Sequence, residues 1–145
     1  MIRGLFEREA IPVLEASLAF AAARQKAIQN NIANVDTPYY KRETVPEAEF
    51  DQALAQAIEE RARAHPNRFV MSDTRNIEFV QGGTVPLVRN VPGPDAGPER
   101  HDRNNVEIEK EMVDLAKNTL YIEALQRLLK KDYNMLLSAL RDRIA

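Results

Sequence analysis

The feature that most constrains this chain is where its helix breakers lie. Gly82, Gly83, Gly93 and Gly97 share one short stretch with Pro86, Pro92, Pro94 and Pro98. Between Val13 and Thr37, and from Glu99 to the end, there is neither glycine nor proline. These are the two residue types a helix interior tolerates least. The sequence therefore predicts two uninterrupted helical ends around a broken middle. At 145 residues that is one compact domain, or one domain with extended arms.

Both ends carry a heptad stripe. Steps of four and three from Leu14 reach Leu18, Ala21, Gln25, Ile28, Ile32 and Val35, apolar at all but one position. That spacing lays a seam along one side of a helix. Arg24, Lys26 and Gln29 flank it and predict a solvated opposite face. Pro12 suits the first turn. The residues before it, Ile2, Leu5 and Phe6 among them, read as either a separate short helix or a flexible arm. At the far end, after Val106, the same spacing runs through Ile108, Met112, Leu115, Thr119, Ile122, Gln126, Leu129, Tyr133, Leu136 and Leu140. Val113, Ala116, Leu120, Leu125, Leu128, Leu137 and Ile144 widen the stripe, and one so wide packs against more than one neighbour. Gln25 and Gln126 read as exposed edge positions in preference to a buried pair. Asn104 or Asn105 suits the N-cap. Glu107, Glu109 and Glu111 suit the positive end of the helix dipole, and Arg141 and Arg143 the negative end.

The predicted fold class is mainly α: an antiparallel pair of long N- and C-terminal heptad helices with a small irregular, β-containing middle insertion. The division expected is residues 1–41, an N-terminal helical arm and corner; 42–103, a variable middle; and 104–145, the long C-terminal helix. A helix from Val13 to Val35 is roughly 35 Å long, and one from Val106 to Arg143 roughly 57 Å. On those lengths the first covers only the near half of the last. Tyr133, Leu136, Leu137 and Leu140 would project beyond it, each forfeiting about 1.5–3 kcal/mol of burial if left in water. Another subunit is the expected cover, in preference to residues 1–11 folding back.

In the middle, Pro46 opens a short amphipathic helix with Phe50, Leu54 and Ile58 on one face. Arg68–Met71, Ile77–Val80 and Thr84–Val91 read as strands, Pro86 placing the last at an edge, with Gly82-Gly83 as a turn. Residues 91–103 read as a flexible connector.

Composition removes most chemistry. With no cysteine, disulfides, Cys-ligated zinc and thiol nucleophiles are excluded. The formal net charge is −2, from 20 basic and 22 acidic residues, which does not make a bulk binder of nucleic acid or anionic membrane. No apolar run approaches the roughly 20 residues of a membrane span, and the first residues lack a secretory signal. His65 and His101 read as loop histidines. No catalytic, metal or cofactor site is expected, and the chain does not read as an enzyme.

The first helix stops at an unusual corner. Asn30, Asn31 and Asn34 crowd its last turn, and Asp36-Thr37-Pro38 follows. Thr37 precedes a proline and is pushed out of helical geometry, and Asp36 is placed to bond nearby backbone donors. The run Asn31, Ile32, Ala33, Asn34, Val35, Asp36, Thr37, Pro38, Tyr39, Tyr40, Lys41 resembles the N-terminal signature of bacterial flagellar rod, hook and hook-associated proteins. In that signature glycine usually stands where this chain has Tyr39. Tyrosine resists positive φ, so a different turn type is expected here. The stretch Asn104 to Asn118, continuing through Ala124-Leu125, Leu128-Leu129, Tyr133-Asn134-Met135-Leu136 and Ala139-Leu140, is similar to the short rod proteins, and to the proximal rod subunit in particular. The family usually has tyrosine at the position of Ile122, and here Tyr121 lies one residue earlier.

The resemblance implies a structural subunit of the periplasmic flagellar rod, polymerising through its terminal helices into the shaft that transmits torque. It implies export by the flagellar type III apparatus without a cleaved signal. The implied partners are copies of itself, other rod subunits, and the export-gate/MS-ring adaptor at the rod base. A distal rod subunit and a soluble coiled-coil adaptor or export chaperone are the alternatives.

Overall fold

A computed structural model describes residues 10–63, 68–80, 85–93 and 100–141. Helix α1 (Ala10–Ala33) leads through a corner to strand β1 (Glu43–Thr44) and helix α2 (Glu47–Arg63). Strands β2 (Ile77–Val80), β3 (Val85–Val88) and β4 (Val91–Pro92) follow, and the long helix α3 (Ile108–Arg141) completes the fold. The mainly α class with a small strand-containing middle is what the breaker distribution predicts.

The alanine-rich sequence of α1 favours helix, and Pro12 sits in its first turn, where N–H groups have no intrahelical acceptor. Three side-chain contacts fix an antiparallel pairing with α3. Asn31 bonds Glu111, Asn118 bonds the Ala21 carbonyl, and the Tyr133 hydroxyl donates to Glu15 at 2.6 Å. The 24 residues of α1 span about 36 Å and the 34 of α3 about 51 Å. α1 starts earlier than Val13 and α3 later than Val106, so the overlap exceeds the half expected. Tyr133 therefore lies within reach of α1, and Leu136 is half-buried, while Leu137 and Leu140 are exposed. Residues 1–9, with Ile2, Leu5 and Phe6, and residues 142–145, with Arg143 and Ile144, lie outside the described residues.

α1 has two occupied faces. One carries Ala21 and Ile28, buried, with Leu14, Leu18, Gln25 and Ile32 half-buried; Val35, expected as the last seam position of the helix, lies past its end at Ala33 and is half-buried in the turn. The other is not solvated as its flanking charges suggested. Ala16, Phe20 and Ala27 join a core with Val45, Phe50, Ala53, Ala57, Phe69, Met71, Ile77 and Phe79. The Phe20 and Phe50 rings stack with centroids 4.1 Å apart. The apolar core thus lies between α1 and the middle segment.

The seam on α3 is displaced from the expected one. Glu111, Asn118, Leu125 and Leu129 are buried, with Leu115 and Ile122 half-buried between them and Leu136 half-buried beyond. The heptad period holds, and Leu115, Ile122, Leu129 and Leu136 belong to both rows. The alternate positions move back by one residue. Ile108 and Met112, expected to pack, are exposed, Met112 by 53 %. The reason is that two seam positions hold polar residues whose partners lie on α1 and at the corner.

In α2 the buried face is Phe50, Ala53 and Ala57 with Leu54 at its margin, and Ile58 is exposed, correcting its placement. β2 and β3 pair antiparallel with Ile77 opposite Val88 and Phe79 opposite Pro86. Both are edge strands, which suits a proline that cannot donate. Arg68–Met71 is not a strand, though Phe69 and Met71 are buried. Val91–Pro92 is no connector but pairs with Glu43–Thr44. The Gly82-Gly83 turn and His65 lie outside the described residues.

Candidate functional site at the helix corner

The corner is organised by a buried polar network. Asn31, 1 % exposed, uses its whole side-chain amide. Its Nδ2 donates to the Glu43 carbonyl (2.7 Å) and to Glu111 Oε2 (3.0 Å). Its Oδ1 accepts from the Glu43 N–H (3.0 Å) and the Tyr40 hydroxyl (3.1 Å). One asparagine thus binds both backbone groups of Glu43, as a neighbouring strand would. Burial, then the nearby Glu43 and Glu111 carboxylates, hold the Tyr40 phenol above its ordinary pKa, so it remains a donor.

Glu111 is fully buried. Its Oε1 accepts from Arg42 Nε, and the same guanidinium reaches Asp114 Oδ2 at 3.3 Å. The dipole role expected of Glu111 is therefore corrected: it is the buried counter-ion of Arg42. Glu107 and Glu109 are exposed at the start of α3. Arg42 is further held through its N–H to Asn105 Oδ1 (2.7 Å) and its carbonyl to the Gly93 N–H (3.1 Å). Any side chain at Gly93 would push on this arrangement, because a Cβ there would lie 2.7 Å from an Arg42 guanidinium nitrogen.

Asn104 closes the corner from the other side. Its Nδ2 lies 2.9–3.0 Å from the carbonyls of Asn34, Val35 and Thr37, and its Oδ1 accepts from the Val106 N–H at 2.8 Å. These carbonyls belong to the turn just past Ala33, so this amide ties the turn after α1 to the start of α3. Neither Asn104 nor Asn105 is the N-cap of α3. That place falls to Glu107, whose carbonyl accepts from the Glu111 N–H at 3.0 Å. Both asparagines are committed to the α1 end and to Arg42 instead.

The expected signature residues are all brought together here, with unequal roles. Asn31 is the hub. Asn34 donates to the Asn30 carbonyl (2.8 Å) and accepts from the Thr37 hydroxyl (3.2 Å). Ile32 is half-buried in the α3-facing row, Ala33 ends the helix, and Val106 is buried beneath it. Asp36 and Pro38 are exposed, and among the described residues Asp36 makes no hydrogen bond, so the turn is shaped by Asn34 and Thr37. Tyr39 overturns the expectation of a different turn. Its φ is 62°, the left-handed conformation that glycine would take. For a residue with a Cβ this costs roughly 1–2 kcal/mol.

Sequence reading missed Arg42 and the interior positions of Glu111 and Asn118. The signal for Asn118 was available: it falls one residue before Thr119 in a seam where either phase is partly apolar. Nothing local marked Arg42, which meets its partner only in three dimensions.

As chemistry, the network is self-satisfied. Donors meet acceptors within the chain, a construction suited to holding a shape. Among the described residues no group of three or more His, Asp or Glu side chains could hold a metal ion, and no helix is long and apolar enough to cross a membrane. Comparison with known proteins decides the family. No family model matches the chain. The flagellar basal body rod protein FlgB of Bacillus subtilis (strain 168) is 34 % identical over 127 residues, covering 88 % of this chain and 89 % of that protein. The chain belongs to the FlgB family of flagellar basal-body rod proteins. FlgB of Aeromonas hydrophila is 26 % identical over 136 residues, 92 % of this chain and 93 % of that one. FlgB of Borrelia hermsii is 33 % identical over 109 residues, 67 % and 70 % of the two chains. As an FlgB-family member it is a structural subunit of the flagellar basal-body rod, and its role is in motility.

Proposed function

We propose that this FlgB-family chain polymerises with copies of itself and with other rod subunits through the faces α3 leaves open, forming a proximal shaft that transmits torque across the periplasm. The observation that carries this reading is the apolar surface of α3: Val113, Leu120, Leu128, Leu137 and Leu140 are all exposed within the chain. Covering each such side chain is worth up to about 1.5–3 kcal/mol. Contacts between different faces of successive subunits do not close on themselves and propagate as a helical tube. The corner network serves the same end by locking α1 and α3 into one rigid lever. Leu136, Leu137 and Leu140, with Tyr133 at their margin, form the inter-subunit patch nearest the free end of α3.

Before assembly the outward apolar face of α3 lacks its partners and the far ends of the terminal helices are partly unfolded, in keeping with export through the flagellar type III apparatus without a cleaved signal. At the rod base the chain meets the export-gate/MS-ring adaptor. No catalytic role, cofactor or nucleic-acid partner is assigned.

Two measurements test this. A tagged chain is expected in isolated basal bodies. Leu136→Asp with Leu140→Asp is expected to abolish swimming while leaving the exported amount unchanged. Retained swimming would remove these residues from assembly, and absence from basal bodies would remove the reading itself.

A further inference from the structure

The outer surface of the corner carries a feature the buried network does not use. Tyr39 is 71 % exposed although its backbone is left-handed. Arg103, the other non-glycine residue with positive φ among those described, has φ 61° and stands directly beside it. The Arg103 guanidinium lies 5.9 Å from the Tyr39 ring centroid, and the Tyr39 N–H donates to the Asp102 carbonyl at 3.0 Å. Glycine at either position would relieve the backbone. The backbone bonds that hold these conformations would serve glycine equally, and both side chains are exposed, so packing inside the chain does not account for the two residue types. A strained conformation kept at a residue type that its own packing does not require points to what that residue presents.

What they present is specific. Arg100, in the same turn, is exposed and donates to the neutral Val35 carbonyl at 3.3 Å. Among the described residues neither Arg100 nor Arg103 is paired with a carboxylate. Tyrosine and arginine are the residue types that dominate binding energy at protein interfaces. A planar guanidinium matches a carboxylate through two parallel hydrogen bonds.

We propose that Tyr39, Arg100 and Arg103 form a docking epitope for an acidic protein segment of a neighbouring rod component. The partner covers the ring and places carboxylates on the two guanidiniums. The inference rests on the rod-subunit reading and names the chemistry of one of its contacts. A protein segment is favoured over a nucleic acid or an anionic lipid surface because the chain as a whole carries 22 acidic against 20 basic residues, and an extended polyanion would meet that excess.

The test uses full-length chains in cells lacking their own copy. Incorporation into isolated basal bodies is measured by immunoblot, and thermal stability on the purified proteins. Tyr39→Gly is expected to melt at a higher temperature than wild type, yet to be incorporated at least about tenfold less. Arg100→Gln with Arg103→Gln is expected to melt within a few degrees of wild type and to show the same loss. Normal incorporation of either variant overturns the epitope while leaving the rod reading intact. Absence of the wild-type chain from basal bodies overturns both. In solution, wild type is titrated with a polyglutamate peptide, a short DNA duplex and phosphatidylglycerol vesicles. Binding of the peptide that is lost in the double variant supports the proposal. Binding of duplex or vesicles in its place overturns it.

Discussion

Arg42 and Glu111 stand 69 residues apart in the chain and meet as a buried ion pair, the arginine just past the corner and the glutamate one turn into α3. Neither charge is accessible enough for water to replace the other. Removing one partner leaves the other unpaired in a low-dielectric setting, which typically costs about 3–5 kcal/mol. Arg42→Ala is expected to lower the urea-unfolding free energy by that order. Arg42→Met with Glu111→Gln keeps an acceptor for Asn31 and removes both charges, so it is expected to cost less than Arg42→Ala alone. A double variant at least as unstable as the single one would show that the pair contributes attraction beyond mutual neutralisation.

The pair also marks where sequence reading reaches its limit. The breaker distribution and the heptad period place both long helices, because these signals are local and repeat many times. The phase of the α3 seam is not local. Following the heptad selects Met112 and Thr119, whereas the chain buries Glu111 and Asn118, which bond groups about 80–100 residues distant. Phe20 was hidden for a related reason. Its face of α1 looks polar at Arg24, yet Arg24 turns aside to pair with Glu47 at 2.8 Å while Phe20 stacks on Phe50. Of the candidate corner residues, Asn31 and Thr37 read from composition alone as an ordinary helix stop, and the resemblance to the rod-protein signature is what marks them. The left-handed Tyr39 was not legible, since intrinsic preference argues against it and only the bonds around Asp102 and Arg103 hold it there.

The amide of Asn104 answers three carbonyls at the end of α1, while Asn105 answers one backbone N–H. Asn104→Ala is therefore expected to destabilise more than Asn105→Ala. Each of those carbonyls keeps a second donor, but Asn104→Ala also strips the buried Val106 N–H of its acceptor, and losing these bonds together is expected to cost about 1–3 kcal/mol. Hydrogen exchange should locate the effect, with faster exchange of the Val35 and Thr37 amides in the Asn104 variant. Equal destabilisation by the two substitutions would deny Asn104 its role as the tie between α3 and the turn after α1.

Glu49 ties α2 to the loop before β2, accepting from the Thr74 hydroxyl (2.6 Å), the Asn76 side chain (2.6 Å) and the Asn76 N–H (3.0 Å). The Thr74 and Asn76 hydrogen bonds, above all, hold its carboxyl below the ordinary value of 4.5. A carboxylate whose folded pKa is lowered stabilises fully above its unfolded pKa and loses that contribution as pH falls through the folded one. Amides around Asn76 and Ile77 are thus expected to lose exchange protection as the pH is taken below about 4.5. In Glu49→Gln this local pH dependence should vanish. Its persistence in the variant would assign the acid transition to another carboxylate.

Asn118 is the one described buried side chain left partly unsatisfied. Its Nδ2 donates to the Ala21 carbonyl (2.9 Å) and to Gln25 Oε1 (3.3 Å), but its Oδ1 has no partner. Burying a carbonyl without a donor opposes folding, and an apolar side chain of similar volume removes both the bonds and the deficit. The Ala21 carbonyl keeps its place in the helix ladder, and half-exposed Gln25 can turn to water. Asn118→Leu is therefore expected to leave stability unchanged or raise it by up to about 1 kcal/mol. Asn31→Leu, which breaks a fully satisfied hub, should cost more than about 2 kcal/mol. A single polar residue in a helical seam also fixes register, at the expense of stability. The Asn118→Leu substitution should then show itself in pairing: the purified variant should form self-associated species by light scattering at concentrations where wild type does not. A variant that is destabilised by more than about 1 kcal/mol and stays in the wild-type association state would mean that the two bonds of Asn118 outweigh its unpaired oxygen.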